Sequence, residues 1–236
     1  MKDINYLKKE LIKGVNSYMR ITRRDVEGDY SVMVGGAAYR NGLSNATWDT
    51  RFNSIGIYLE KNCEKFNLLY IKMDRGIWRA PLILDRDNGV LYIFSSTENL
   101  RIVTEKIKNG NRTHYIYLLT LYCEDGEVEQ LELIEDEMRE MRAKKIMGDD
   151  ISLVKKVAVI HYSYLNGIPI DGTISFLDNT GNERLAIKID DYLDEKQENM
   201  LEMLDTPSNL EVKSAPLVKW NPKKTEEKTE EKTEER

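Results

Sequence analysis

Cysteine is nearly absent from this 236-residue chain. Cys63 and Cys123 lie far apart, with no CxxC spacing and no neighbouring cluster of His or Asp, which excludes a redox pair or a zinc site of the usual pattern. Each is expected to be a reduced, half-buried thiol of an intracellular protein. Histidine is as scarce: His114 and His161 are the two candidates for a general base of the commonest type. Neither stands beside a G-x-S-x-G motif, and the surroundings of Cys123 match no protease signature. His161 falls inside an apolar strand and is expected to be a hydrogen-bonded strand histidine. No apolar run approaches the roughly 20 residues of a membrane helix. The first ten residues alternate charge with hydrophobe and lack the features of a signal peptide, so the expected compartment is the cytoplasm, with no membrane partner.

With 41% hydrophobic and 32% charged residues, the composition is that of a rather polar globular protein long enough to bury its own core. The net charge of -6 conceals an asymmetry. Residues 1 to 79 carry 14 Lys/Arg against 9 Asp/Glu, or +5, leaving 21 against 32, or -11, for the remainder. A basic N-terminal part suits an acidic or phosphate-bearing partner, whereas the acidic whole argues against indiscriminate attachment to nucleic acid.

The strongest local signal is Pro81 to Ser96. Leu82-Ile83-Leu84 and Val90 to Phe94 are strand-length apolar runs joined by an Asp/Asn/Gly-rich turn, with Asn88-Gly89 expected to supply positive φ angles. Preceded by a strand over 66–73, this hairpin predicts an antiparallel meander. Amphipathic spacing predicts helices over 3–20, capped by Asp3, from about 45 to 59, and from Ser96 across Leu100, Val103 and Ile107. The stretch 20–45 reads as irregular, with a short strand over Tyr30–Val34. Residues 115–122 are apolar almost throughout and read as a fourth strand or a buried helix, between which periodicity cannot choose, with Tyr, Ile and Thr content favouring the strand. An extended segment over Val128–Ile134 and an exposed helix over Glu135–Met147 follow. Strands over 154–164, 168–177 and 183–189 and an acidic helix over 190–204 complete the pattern. The fold class is therefore α+β: an N-terminal helix-sheet domain over 1–124, an acidic helical spacer over 125–150, a smaller antiparallel β unit over 151–204, and a disordered tail over 205–236. The tail repeats Lys-Thr-Glu-Glu, with 5 positive and 6 negative charges from Lys223 to Arg236 and no apolar residue.

Candidate sites are weighed on chemistry. Val34 to Gly42 is glycine-rich but lacks the Gly-Lys-Ser/Thr ending and the G-x-G-x-x-G order, so no nucleotide or other cofactor is expected. A metal-dependent nuclease needs an acid on one strand and a Glu/Asp-x-Lys pair on its neighbour. Asp85 and Asp87 sit in a turn whose following strand bears neither acid nor lysine, and Asp178, Glu183 and Lys188 have the wrong spacing, so no metal is expected. What remains is a set of arginines interleaved with indoles: Arg40, Trp48, Arg51, Arg75, Trp78 and Arg79, with His114 as a possible neighbour. Guanidinium forks and aromatic faces serve protein hot spots and stacked bases alike.

The order Trp48-Asp-Thr-Arg-Phe-Asn-Ser-Ile55, Arg75-Gly-Ile-Trp78, Glu98-Asn-Leu100 and His114-Tyr115, ahead of a terminal β-rich unit, resembles an uncharacterised family carried by Gram-positive bacteria and their prophages. The likeness spans roughly residues 1 to 190 and implies a phage-related accessory context, with no activity attached. The reading as a whole is of a non-enzymatic cytoplasmic interaction or regulatory protein, phage- or defence-related, that binds through the basic aromatic surface. A protein is its first expected partner, nucleic acid the second, and self-association is compatible. The alternative is a metal-dependent nucleic-acid-processing enzyme whose acids converge from distant strands.

Overall fold

The computed structural model describes residues 7–36, 41–75, 78–123 and 133–194. They form an α+β fold on a six-stranded sheet in sequential order, β1 to β6. β1 (Leu68–Arg75), β2 (Trp78–Asp85) and β3 (Val90–Ser96) make the expected meander. β4 (Lys156–Leu165), β5 (Ile168–Leu177) and β6 (Glu183–Lys188) make a second. β3 and β4 then pair in parallel, Val90 opposite Lys156 through Ser96 opposite Tyr162. The separate C-terminal β unit expected from the sequence is thus the second half of one sheet, and Met1–Asn199 is one compact unit. The physical reason is at the edges: two isolated meanders would each leave an apolar strand unpaired, and joining β3 to β4 removes both edges.

α1 (Lys9–Met19), α3 (Leu43–Asn62) and α7 (Ile189–Asp194) cover one face of the sheet. α4 (Thr97–Lys108), α5 (Tyr115–Leu119) and α6 (Leu133–Met147) cover the other. β3 shows why its sequence reads as one hydrophobic run. Val90, Tyr92 and Phe94 face α1 and α3 while Leu91 and Ile93 face α4 to α6, so both sets are buried.

Several expectations change. Residues 115–119 are helical, not a strand: every side chain of α5 is buried, and an element apolar all round needs no amphipathic period to be a helix. The irregular stretch contains α2 (Arg23–Met33), including Tyr30–Met33, begun by Thr22, whose N–H and hydroxyl both donate to the Asp25 carboxylate at 2.7 and 2.8 Å. In the first hairpin only Gly89 takes a positive φ, +66°. A four-residue connection closes there by a Gly89 N–H bond to the Asp85 carbonyl at 2.8 Å, and the Asp85 carboxylate accepts from Asp87 N–H and Asn88 Nδ2. The second hairpin turns on Asn166 (φ 52°) and Gly167 (φ 82°), the two-residue turn that the dipeptide predicts. Leu133 and Ile134 begin α6 rather than ending an extended segment; residues 128–132, the Asp3 cap, 195–204 of the last helix and the 205–236 tail lie outside the described residues. Cys63 is half-buried and Cys123 buried, with no disulfide between them.

Candidate functional site

The parallel pair creates the site. β3 runs into α4 at Ser96 and Thr97, β4 ends beside it at Ser163 and Tyr164, and α3 lies across the opening with Thr47 and Trp48 one turn before Arg51. Together they line a cleft of about 520 Å³. Open sheets with parallel strands bind ligands at such carboxyl ends, and this volume suits a small polar group.

Arg51 forms one wall. It is 3% exposed, and its Nε and Nη2 donate to the Ile21 carbonyl at 3.0 and 2.6 Å, strapping the α1–α2 connection to α3. Its guanidinium lies 4.7 Å from the Trp48 ring and 4.2 Å from the Tyr164 ring, and the two rings meet edge-on at 5.8 Å. Tyr164 is held in turn by donating to the Met19 carbonyl at 2.8 Å. Among the described residues no carboxylate pairs with Arg51. Burial pushes the guanidinium below its usual range, Tyr164 opposes the fall, and the like charge of Arg23 adds to it. Arg23 lines the same cleft and leans over the Gly167 turn; Glu98, the one acid on the rim, is held by a two-pronged contact from Arg101 at 2.8 and 3.1 Å. The arrangement is a buried cation with an exposed one beside it, while the rim carboxylate of Glu98 is turned to Arg101.

The opposite wall carries Thr97 and Ser163, and behind them a hydrogen-bonded chain runs around His161. Nδ1 is 2.9 Å from Thr97 Oγ1, Nε2 is 2.8 Å from Ser175 Oγ, Ser175 Oγ donates to Glu183 Oε2 at 2.5 Å, and Ser163 Oγ donates to Thr97 Oγ1 at 3.1 Å. His161 is buried, which pushes its pKa below the ordinary histidine value; Glu183 opposes this and Lys188 adds to it. It is hydrogen-bonded on both nitrogens, as a buried strand histidine should be.

The predicted arginine-indole set divides. Trp48 and Arg51 meet in the cleft. Arg79 lies in a separate hollow of about 830 Å³ with Lys72, where its Nε pairs with Asp74 at 2.7 Å and Lys72 with Glu60 at 3.0 Å, so these charges are answered internally. His114 caps α5: its Nδ1 accepts from the Ile116 N–H at 3.3 Å and its ring lies tilted against Tyr115 at 4.5 Å. Arg40 lies outside the described residues, and Arg75 and Trp78 are described only as the paired backbone ends of β1 and β2. Sequence reasoning missed Arg23, Thr97, Ser163, Ser175 and Tyr164; the one signal available for Thr97 was the Ser-Ser-Thr run at the junction of strand and helix.

The acids weighed for metal chemistry are occupied otherwise. Lys8 Nζ lies 3.0 Å from Asp85 and 2.7 Å from Asp87, tying α1 to the first hairpin. Asp178 accepts the Thr180 and Asn182 N–H groups of its own turn, and Lys188 lies 3.5 Å from Asp171. Among the described residues no three His, Cys, Asp or Glu side chains gather as a metal site would require, and no helix is long and apolar enough to cross a membrane.

Compared with known proteins, the chain matches the model of a family of unknown function, DUF5986, over residues 24–235. No curated protein and no solved structure matches it.

Proposed function

The chain belongs to this family of unknown function, and from that premise, which carries no activity, we propose that it is a recognition protein whose cleft receives an acidic group of a protein partner. The observation that carries the reading is Arg51, a buried guanidinium without a counter-ion among the described residues. An isolated buried charge is costly and is normally paired. Here the free valence faces a cleft whose second cation, Arg23, and whose hydroxyls at the start of α4 favour the same ligand charge. Trp48 and Tyr164 keep the fork flat, so a carboxylate is met in a fixed plane. A single Asp or Glu side chain fits better than a nucleic acid, because the net charge of -6 repels a polyanion. A cytoplasmic, phage-related accessory role is the context suggested by the sequence resemblance, and it belongs to the same proposal.

The test is titration of the full chain with N-acetyl-glutamyl amide, with inorganic phosphate as a second probe, read by fluorescence and by the Trp48 indole resonance. Saturable binding that weakens with salt and is reduced by Arg23→Gln is expected. A charge-assisted hydrogen bond contributes about 1.5–3 kcal/mol, so losing one contact should weaken binding about tenfold or more. Absence of any saturable response to the carboxylate at low ionic strength overturns the reading.

A further inference from the structure

The hydroxyl wall has a direction. An ionised Glu183 only accepts hydrogen bonds, so the Ser175 hydroxyl proton is committed to it, and Ser175 Oγ is left to accept from His161. The imidazole therefore carries its proton on Nε2. Nδ1 is then bare and accepts from Thr97, whose Oγ1 accepts in turn from Ser163. Every donor points away from the cleft, through Thr97 and His161, toward a carboxylate on the sheet's edge strand. This is the ordering of nucleophile, base and orienting acid of a hydroxyl-histidine-carboxylate triad, with one serine inserted between base and acid.

We infer that Thr97 is a nucleophile served by His161 as general base, and that the cleft hydrolyses carboxylic esters. Thr97 Oγ1 attacks the ester carbonyl carbon as its proton passes to His161 Nδ1. The tetrahedral intermediate collapses with cleavage of the bond to the alcohol oxygen, which takes the proton from Nδ1 and leaves. Water then attacks the acyl-threonine, giving one proton to His161, and the acid departs as Thr97 Oγ1 recovers that proton. The balance is ester plus water to acid plus alcohol, with no other reactant. The developing oxyanion finds its donor in the first turn of α4, at the backbone N–H of Glu98, which has no intrahelical partner, that of Asn99 being held by Ser96 Oγ at 3.1 Å. Ser175 and Glu183 are positioning residues: they fix the tautomer and steady the imidazolium.

Ester hydrolysis and carboxylate binding would use the same cleft and both touch the start of α4, but binding is read at Arg23 and Arg51 and nucleophilicity at Thr97 and His161, so the two fail separately. The full chain is treated with an alkyl fluorophosphonate, which a nucleophilic hydroxyl displaces with loss of fluoride, and the modified peptide is found by mass spectrometry. Hydrolysis of p-nitrophenyl butyrate is followed in parallel. Labelling at Thr97 is expected, retained in Thr97→Ser, abolished in Thr97→Ala, and slowed about a hundredfold or more in His161→Gln, the usual contribution of a general base. Because His161 is buried, Thr97→Ala at the partly exposed helix start keeps the test decisive if His161→Gln does not fold. The charged groups acting on His161 are Glu183 and Lys188, both of β6. Glu183→Gln should accordingly move the acid limb of the labelling rate to lower pH and reduce its plateau, whereas a merely structural glutamate would leave the limb in place. Absence of label at Thr97, or ester turnover no faster than in Thr97→Ala, overturns the inference. Label at Thr97 without carboxylate binding sinks the binding proposal alone; carboxylate binding with unlabelled Thr97 sinks this one alone.

Discussion

Replacing Ile160 by alanine tests whether the two meanders are one cooperative body. Ile160 is fully buried on β4, opposite Phe94 across the parallel ladder and Ile174 across the antiparallel one, and belongs to the apolar layer shared with α1 and α3. Removing three buried carbons from such a site lowers stability by about 2–5 kcal/mol, the transfer contribution plus the cavity left behind. The flanking strands β3 and β5 and the helices on this face limit collapse around the hole, which favours a value of about 3 kcal/mol. For a unit the size of Met1–Asn199 each kcal/mol lowers the melting temperature by about 2–4 °C, so the variant should melt about 6–12 °C lower. Calorimetry should show a single transition before and after the substitution. Hydrogen exchange should show peptides of β1 to β3 losing protection together with those of β4 to β6, because all six strands share the same opening. Two resolved transitions, or loosening confined to residues 156–188, would refute the single-sheet argument and restore a boundary near residue 151.

Gly89→Ala should cost about 2–3 kcal/mol in a denaturant midpoint, because φ is +66° and a Cβ would stand 2.8 Å from the Leu153 carbonyl oxygen. The Gly89 carbonyl also accepts from Lys155 and Lys156 N–H at 2.8 and 3.1 Å, so exchange at the start of β4 should rise as well. Tyr164→Phe should lose about 1 kcal/mol with the bond to Met19 while keeping the ring over Arg51, and the spectroscopic titration of a tyrosine whose pKa burial has pushed up to about 12 should disappear. His161 contributes a pH dependence of definite sign. Its folded pKa lies below the ordinary 6.5, so below that pH the unfolded chain binds a proton that the folded one does not. Stability should fall as pH drops from 6.5 through the folded value, and a folded His161→Gln variant should show a flatter limb there; an unchanged limb counts against the assigned burial.

Much of the secondary structure was legible because it obeys simple periods. The stripe Leu11, Ile12, Val15 and Met19 announces α1, and Leu100, Val103 and Ile107 announce α4. Elements that failed did so where the period carries no information. α5 is buried on every side, and α2 fully buries Val26 alone, so only the Thr22 to Asp25 capping pair marked it. Arg51 was legible as an arginine beside an indole, yet its role was inverted: burial against Ile21 makes it a strap and a wall rather than part of an open patch.

The uninterrupted hydrophobicity of Val90 to Phe94 held more than was drawn from it. A half-exposed meander strand alternates, so a strand that does not must be covered on both faces, and coverage on both faces is the habit of parallel pairing. A strand so covered sits inside a sheet and not at its edge, so β3 needs a second neighbour, and β4, reached through the helices of residues 97–153, supplies it in parallel. The parallel pairing then places the end of one strand beside the end of the other, Ser96 opposite Tyr162, and this sets Thr97 beside His161 and Ser163. No spacing rule brings together residues 97, 161, 163, 175 and 183. What joins them is the register of a single ladder, which residues 125–150, treated as a spacer, conceal.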